Sequence, residues 1–262
     1  MSSSRHERRV RETFPDLYRW GLRLAHGFVP EPGSELAEDD ADWKWMPVSQ
    51  VAFAGIGAAR DHLQAVRIHV EAGEYFPFAQ QTLIRTAMLA AAQAVWVLAP
   101  DDRAERVKNA RTFAYENYSK HLVFLRDLQS LAPVTHEGTD AVERRAAQRR
   151  DELAAVRAAD GQASLRLTPT DVIPAAVHAT WGNREKATES RVEWRRGSGA
   201  AHGLPWSVLG REETRQAGGA DADGLADFHA GASLDGFANA YMCAYDLLAN
   251  AFNLLDRRGR LA

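Results

Sequence analysis

The sequence predicts an all-α protein, a single-domain helical bundle of about six to eight helices. Three observations carry that expectation. Apolar residues recur at helical spacing through most of the 262 residues. Strict apolar-polar alternation never holds for more than a few positions. The segment 77–99, PFAQQTLIRTAMLAAAQAVWVLA, is apolar on nearly every side, as a helix at the centre of a bundle must be.

The elements follow in order. Over 5–27, Leu17, Trp20, Leu24 and Phe28 mark a first helix, stopped by Pro30 and Pro32. Residues 30–47 are acidic, carry Trp43 and Trp45, and read as a loop. A long helix over 49–72 places Val51, Ile56, Leu63, Val66 and Val70 on one side and stops at Gly73. The central helix follows, with Arg85 its embedded charge. Asp101 or Asp102 then caps a helix over 103–131. Residues 139–159 mix charges with helix formers and read as an exposed charged helix. Thr168-Pro169-Thr170-Asp171 opens the next helix, and a glycine-weakened one spans 184–202. The glycine-rich stretch 204–232 reads as a flexible loop, and 233–258 as an amphipathic closing helix that packs on segment 77–99. The chain thus divides into an N-terminal helix with its acidic loop, 1–48, and a bundle core, 49–262.

Composition narrows the function classes. A formal net charge of −3 offers no global basic field to draw in nucleic acid, although a local patch remains open. One cysteine, Cys243, rules out an internal disulfide and a cysteine zinc cluster, and its surroundings read as core. The first residues, MSSSRHERRVRE, lack the apolar stretch of a signal peptide, and the run Ala87–Pro100 is too short to span a bilayer. The expected location is the cytoplasm, away from the membrane. No HExxH, P-loop or dinucleotide pattern is present, and His62 and His69 stand two turns apart, too far to share one ion. The expectation is therefore no cofactor and no metal.

The segment WRRGSGAAHG, 194–203, is the exception in an otherwise anonymous chain. On a helix, Arg195, Ser198 and His202 share one face, with Arg196 beside it. Gly197 and Gly199 cost a helix about 1 kcal/mol each, a cost accepted where something approaches the backbone closely. Histidine moves protons near neutral pH, and arginine stabilises a phosphorane-like oxyanion through paired hydrogen bonds. With RNA the 2′-hydroxyl is the nucleophile, so the chemistry needs no metal. The candidate catalytic residues are His202 as acid and base, Arg195 or Arg196 on the phosphate, and Ser198 orienting the imidazole. A purely structural reading stands beside this one. His202 before Gly203 and Pro205 has the grammar of a helix end, and the glycines suit close helix packing. Arg85 is expected to pair with Glu71, Glu74, Glu116 or Asp246.

The spacing Arg196-x5-His202, or Arg195-x6-His202, resembles the HEPN superfamily. So does the order of LIRTAMLAAAQAVWVL, APDDRAER, WRRGSGAAHG and a closing helix, which together span roughly 77–110 and 190–257. The resemblance implies an all-helical fold, a homodimer, and metal-independent cleavage of RNA by arginine and histidine at the dimer interface. The alternative is a non-catalytic bundle that binds a protein partner or a small ligand.

Overall fold

The computed structural model describes residues 5–131 and 136–261. The chain is all-α, one bundle built around α5 (Ala79–Leu98). Around it lie α4 (Val48–Ala72), α8 (Pro169–Trp181), α9 (Arg184–Ala201) and α10 (Asp235–Gly259). The alanines of α5 explain the arrangement. Ala87, Ala91, Ala92 and Ala94 are fully buried, and their small side chains let helices approach from several directions at once. From α10, Leu247, Leu248, Ala251 and Leu255 are likewise buried in this core. On α4, a Cβ added at Gly55 would stand 2.7 Å from the carbonyl oxygen of Ala90, so glycine there sets the α4–α5 distance. Among the described residues no helix is long and apolar enough to cross a membrane.

Among the described residues, helices of twelve or more residues number eight, namely α2 (Phe14–Ala25), α4, α5, α6 (Arg103–Gln129), α7 (His136–Ala159), α8, α9 and α10, within the expected range. The details depart from expectation in four places. The first helix is two, α1 (Arg5–Arg11) and α2 (Phe14–Ala25). Pro15 stands at the start of α2, where it lacks an N–H to give and would clash with the carbonyl one turn back, and the helix breaks there. At the break the Thr13 hydroxyl donates to the Val10 carbonyl (2.6 Å) and lies 2.7 Å from the Tyr241 hydroxyl on α10.

The acidic loop contains a second unexpected element, α3 (Glu35–Asp40), capped by the Ser34 hydroxyl. It turns Leu36 and Asp39 inward. Val10, Leu17 and Leu36 all join the core formed by α4, α5 and α10, so the first three helices contribute to the same core.

The charged helix 139–159 is exposed along one side only. It forms most of α7 (His136–Ala159) and packs on α6 (Arg103–Gln129), where Ala146 and Leu153 meet Tyr118, Leu122 and Leu125 in a second core. Arg157 is buried there too, its guanidinium 4.4 Å from the centre of the Tyr115 ring and bonded to the Leu165 carbonyl at 2.6 Å. A helix with so few apolar residues gives little periodic signal, yet arginine stems cover apolar surface.

Last, the stretch 204–232 is shaped rather than formless. A short 3-10 turn, Pro205–Ser207, precedes two three-residue strands, β1 (Arg215–Ala217) and β2 (Asp227–His229), paired antiparallel with Gln216 opposite Phe228. Arg211 ties the stretch to the bundle by donating to the carbonyls of Pro77 (2.7 Å) and Ser207 (2.6 Å). Three-residue strands are too brief to show alternation in a sequence.

The segment APDDRAER acquires a definite role. The C-terminus of α5 leaves carbonyls without helical partners. Arg258 of α10 donates to those of Leu98 (2.8 Å) and Ala99 (3.2 Å). Arg106 of α6 serves those of Pro100 (3.0 Å) and Asp101 (2.8 Å). Both guanidiniums are buried, and cations suit a helix C-terminus. Asp39 of α3, fully buried, grips Arg106 at 2.6 and 3.1 Å.

Candidate functional site

Helix α9 is started by Asn183, whose side-chain oxygen accepts from the N–H groups of Glu185 (2.7 Å) and Lys186 (3.4 Å). It ends in a Schellman arrangement. Gly203, at φ 66°, donates to the Ala200 carbonyl (3.1 Å), and Leu204 donates to that of Gly199 (2.9 Å). His202 is the C-cap, with its backbone N–H on the Ser198 carbonyl at 3.2 Å.

The glycines of this helix are explained by packing. A Cβ at Gly197 would lie 2.7 Å from the Cβ of Arg85 and 2.9 Å from the Gln81 carbonyl oxygen. One at Gly199 would lie 2.6 Å from the Trp206 ring. Bare backbone therefore meets α5 on one side and the 3-10 turn on another. The small residues do not leave a face open; neighbours fill the space. Arg85 also differs from expectation. Among the described residues no carboxylate pairs with it; its guanidinium lies over the Trp194 ring, 5.5 Å from its centre, while its Nε is buried without a hydrogen bond. A half-buried cation on an indole face meets part of the need that an acid would otherwise meet.

The outward face of α9 is different. Arg195 and His202 are exposed, and neither side chain has an ion pair or hydrogen bond among the described residues. Arg196 is half-buried and held by Glu193 through contacts of 3.2 and 3.3 Å. Ser198 is half-buried, and no hydrogen bond joins its hydroxyl to the His202 imidazole. Of the four sequence candidates, then, Arg195 and His202 share a free solvent-facing surface, while Arg196 is engaged. In the turn that follows α9 the side chains of Leu204, Trp206 and Leu209 are exposed, an apolar border that the sequence spacing did not reveal.

The paired histidines of α4 go separate ways. His62 places Nδ1 2.7 Å from the Ala58 carbonyl on its own helix, whereas the His69 ring meets Phe76 edge-on at 5.6 Å.

Two of the larger cavities lie elsewhere, and none of the four candidates lines either. One, of about 570 Å³, lies between α5, α6 and α8 against Trp96, Asn109 and Val172. The other, of about 540 Å³, is bounded by α9 and α10, with Trp181 of α8 and Arg9 of α1 at its edges. Cys243 lines the second and donates to the Ser190 hydroxyl at 3.0 Å; burial pushes its thiol up to about 12, so it is inert near neutral pH. Burial also lifts the Asp246 carboxyl above the ordinary carboxylate range, against the opposing pull of Arg9 and Lys186. The fold thus holds this proton more tightly than the unfolded chain does. Stability from this group is complete below the unfolded value of about 3.9 and is lost as pH rises through the folded one. Asp246→Asn is accordingly expected to stabilise the chain more at pH 7.5 than at pH 4.5, as read by urea unfolding of variant and parent side by side. A gain independent of pH would contradict the burial effect.

Comparisons with protein-family models, with curated proteins and with solved structures return no match for this chain.

Proposed function

We propose that this chain is a HEPN-like helical protein of the cytoplasm that cleaves RNA without a metal ion, using the outer face of α9. One observation carries the reading. Arg195 and His202, an always-charged phosphate binder and a proton carrier, are both exposed on that face and unengaged by described residues. His202 takes the proton of a ribose 2′-hydroxyl, whose oxygen attacks the adjacent phosphorus. The bond to the 5′ oxygen breaks, and an imidazolium returns a proton to that leaving oxygen. Arg195 balances the charge gathering on the phosphate oxygens. The apolar border of Leu204, Trp206 and Leu209 supports a homodimer that sets two such faces together, so that one imidazole serves as base and the other as acid.

His202→Ala is expected to lower the rate of RNA cleavage by about 10²–10⁴-fold while leaving the helical circular-dichroism signal unchanged, because His202 is exposed. Arg195→Ala is expected to act in the same direction, and Arg196→Ala less, since Glu193 already holds Arg196. Equal cleavage by parent and His202→Ala would remove the catalytic reading. The same apolar border favours a second reading, a surface for a non-catalytic protein partner. An RNA-inactive parent whose self-association is abolished by Trp206→Ser would support that one instead.

A further inference from the structure

We propose that the cavity between α9 and α10 binds a small zwitterion with an apolar side chain, of the chemical class of a free α-amino acid. None of the residues assigned to RNA cleavage lines this cavity. At about 540 Å³ the cavity falls within the usual range for small-molecule sites, roughly 300–1,000 Å³. Its charges are the informative part. Lys186 is bonded to Glu189 at 2.8 Å, and Glu193 to Arg196 at 3.2 Å, so those lining charges are matched. Two are not. Asp246, half-buried on α10, and Arg9, exposed on α1, have no ion pair or hydrogen bond among the described residues. They are near enough to act on each other electrostatically yet stand too far apart to pair.

A half-buried carboxylate without a partner is costly, and a cationic ligand group would relieve that cost. A ligand carrying only a positive charge would meet Arg9 and Lys186 at the same opening. One carrying only a negative charge would meet Asp246. A molecule with an ammonium for Asp246 and a carboxylate for Arg9 satisfies both unmatched groups, the second through the paired hydrogen bonds that guanidinium offers. Trp181 and Met242 supply an apolar wall for the side chain of such a molecule.

Isothermal titration of the full chain with L-phenylalanine, L-leucine, 2-phenylethylamine and 3-phenylpropionate tests this. The expected result is saturable binding of at least one of the two amino acids. Each singly charged analogue should bind at least about tenfold more weakly, as loss of one charge-assisted contact predicts. Asp246→Asn, nearly isosteric, and Arg9→Ala, on the exposed rim, should each weaken amino-acid binding about tenfold or more with the fold intact by circular dichroism. Because Arg9 lies on the exposed rim, its variant tests the site without altering the half-buried carboxylate. Failure of both amino acids to bind at 10 mM would overturn the proposal, as would equal affinity for zwitterion and amine, or binding unchanged in Arg9→Ala. Equal RNA cleavage by the parent and His202→Ala would leave all of these outcomes unaffected, so the two readings fail independently.

Discussion

Asp39→Ala is expected to lower the free energy of unfolding by about 3–5 kcal/mol, measured by urea denaturation at pH 7. Asp39 is fully buried and Arg106 nearly so, and two short hydrogen bonds join them. Removing the carboxylate leaves a guanidinium in the interior with the Pro100 and Asp101 carbonyls, and Glu35 at 3.2 Å, as its remaining partners. The partially exposed Glu35 cannot restore the bidentate grip. Arg106 also completes the end of α5, so its displacement loosens the central helix where α6 and α10 meet it. Asp39→Ala combined with Arg106→Met is expected to cost less than the sum of the two single changes, because the uncompensated charge is then gone. Strict additivity would show that the two groups do not act as a pair.

The second large effect separates two glycines on α4. Alanine is better than glycine inside a helix by about 1 kcal/mol. At Gly57 an added Cβ meets nothing within 4 Å, so Gly57→Ala is expected to stabilise the chain by about 0.5–1 kcal/mol. At Gly55 the same atom would stand 2.7 Å from the Ala90 carbonyl oxygen. That neighbour is backbone of the central helix and cannot rotate aside, so α4 and α5 must move apart. Gly55→Ala is expected to destabilise by about 1–3 kcal/mol despite its better propensity, and Gly55→Val by more. Opposite signs two residues apart, read from urea midpoints, would tie the bundle's spacing to one position. A gain at Gly55 would contradict it.

Much of this fold was legible because its centre is written in composition. A segment in which Ala and Leu occupy almost every direction has few places to be except inside. What escaped notice lacks that redundancy. Pro15 carried the signal for the break between α1 and α2, but the apolar spacing on both sides of it fits one continuous helix. Helix α3 is six residues of mainly acidic character, and its burial makes sense only once Arg106, distant in sequence, supplies the opposite charge. The α9 face was legible from spacing alone, since positions 195 and 202 are fixed on one side by helical geometry. The meaning of its glycines was not, because Arg85 and Trp206 reach them from other elements. Arg85 itself invited a search for an acid, and the ring that faces it sits on α9. Arg9 and Asp246, at opposite ends of the chain, line one cavity, and no local pattern links them.

The most direct measurement on the proposed activity is the chemistry of the RNA ends. Single-stranded RNA incubated with the purified chain in a chelator should yield fragments ending in a 2′,3′-cyclic phosphate and beginning with a 5′-hydroxyl. A strand with deoxyribose at the cleaved position should stay intact, because the attacking hydroxyl is missing. Fragments ending in 3′-hydroxyl and beginning with 5′-phosphate, or RNA left whole, would contradict the assignment of His202 and Arg195 to this reaction.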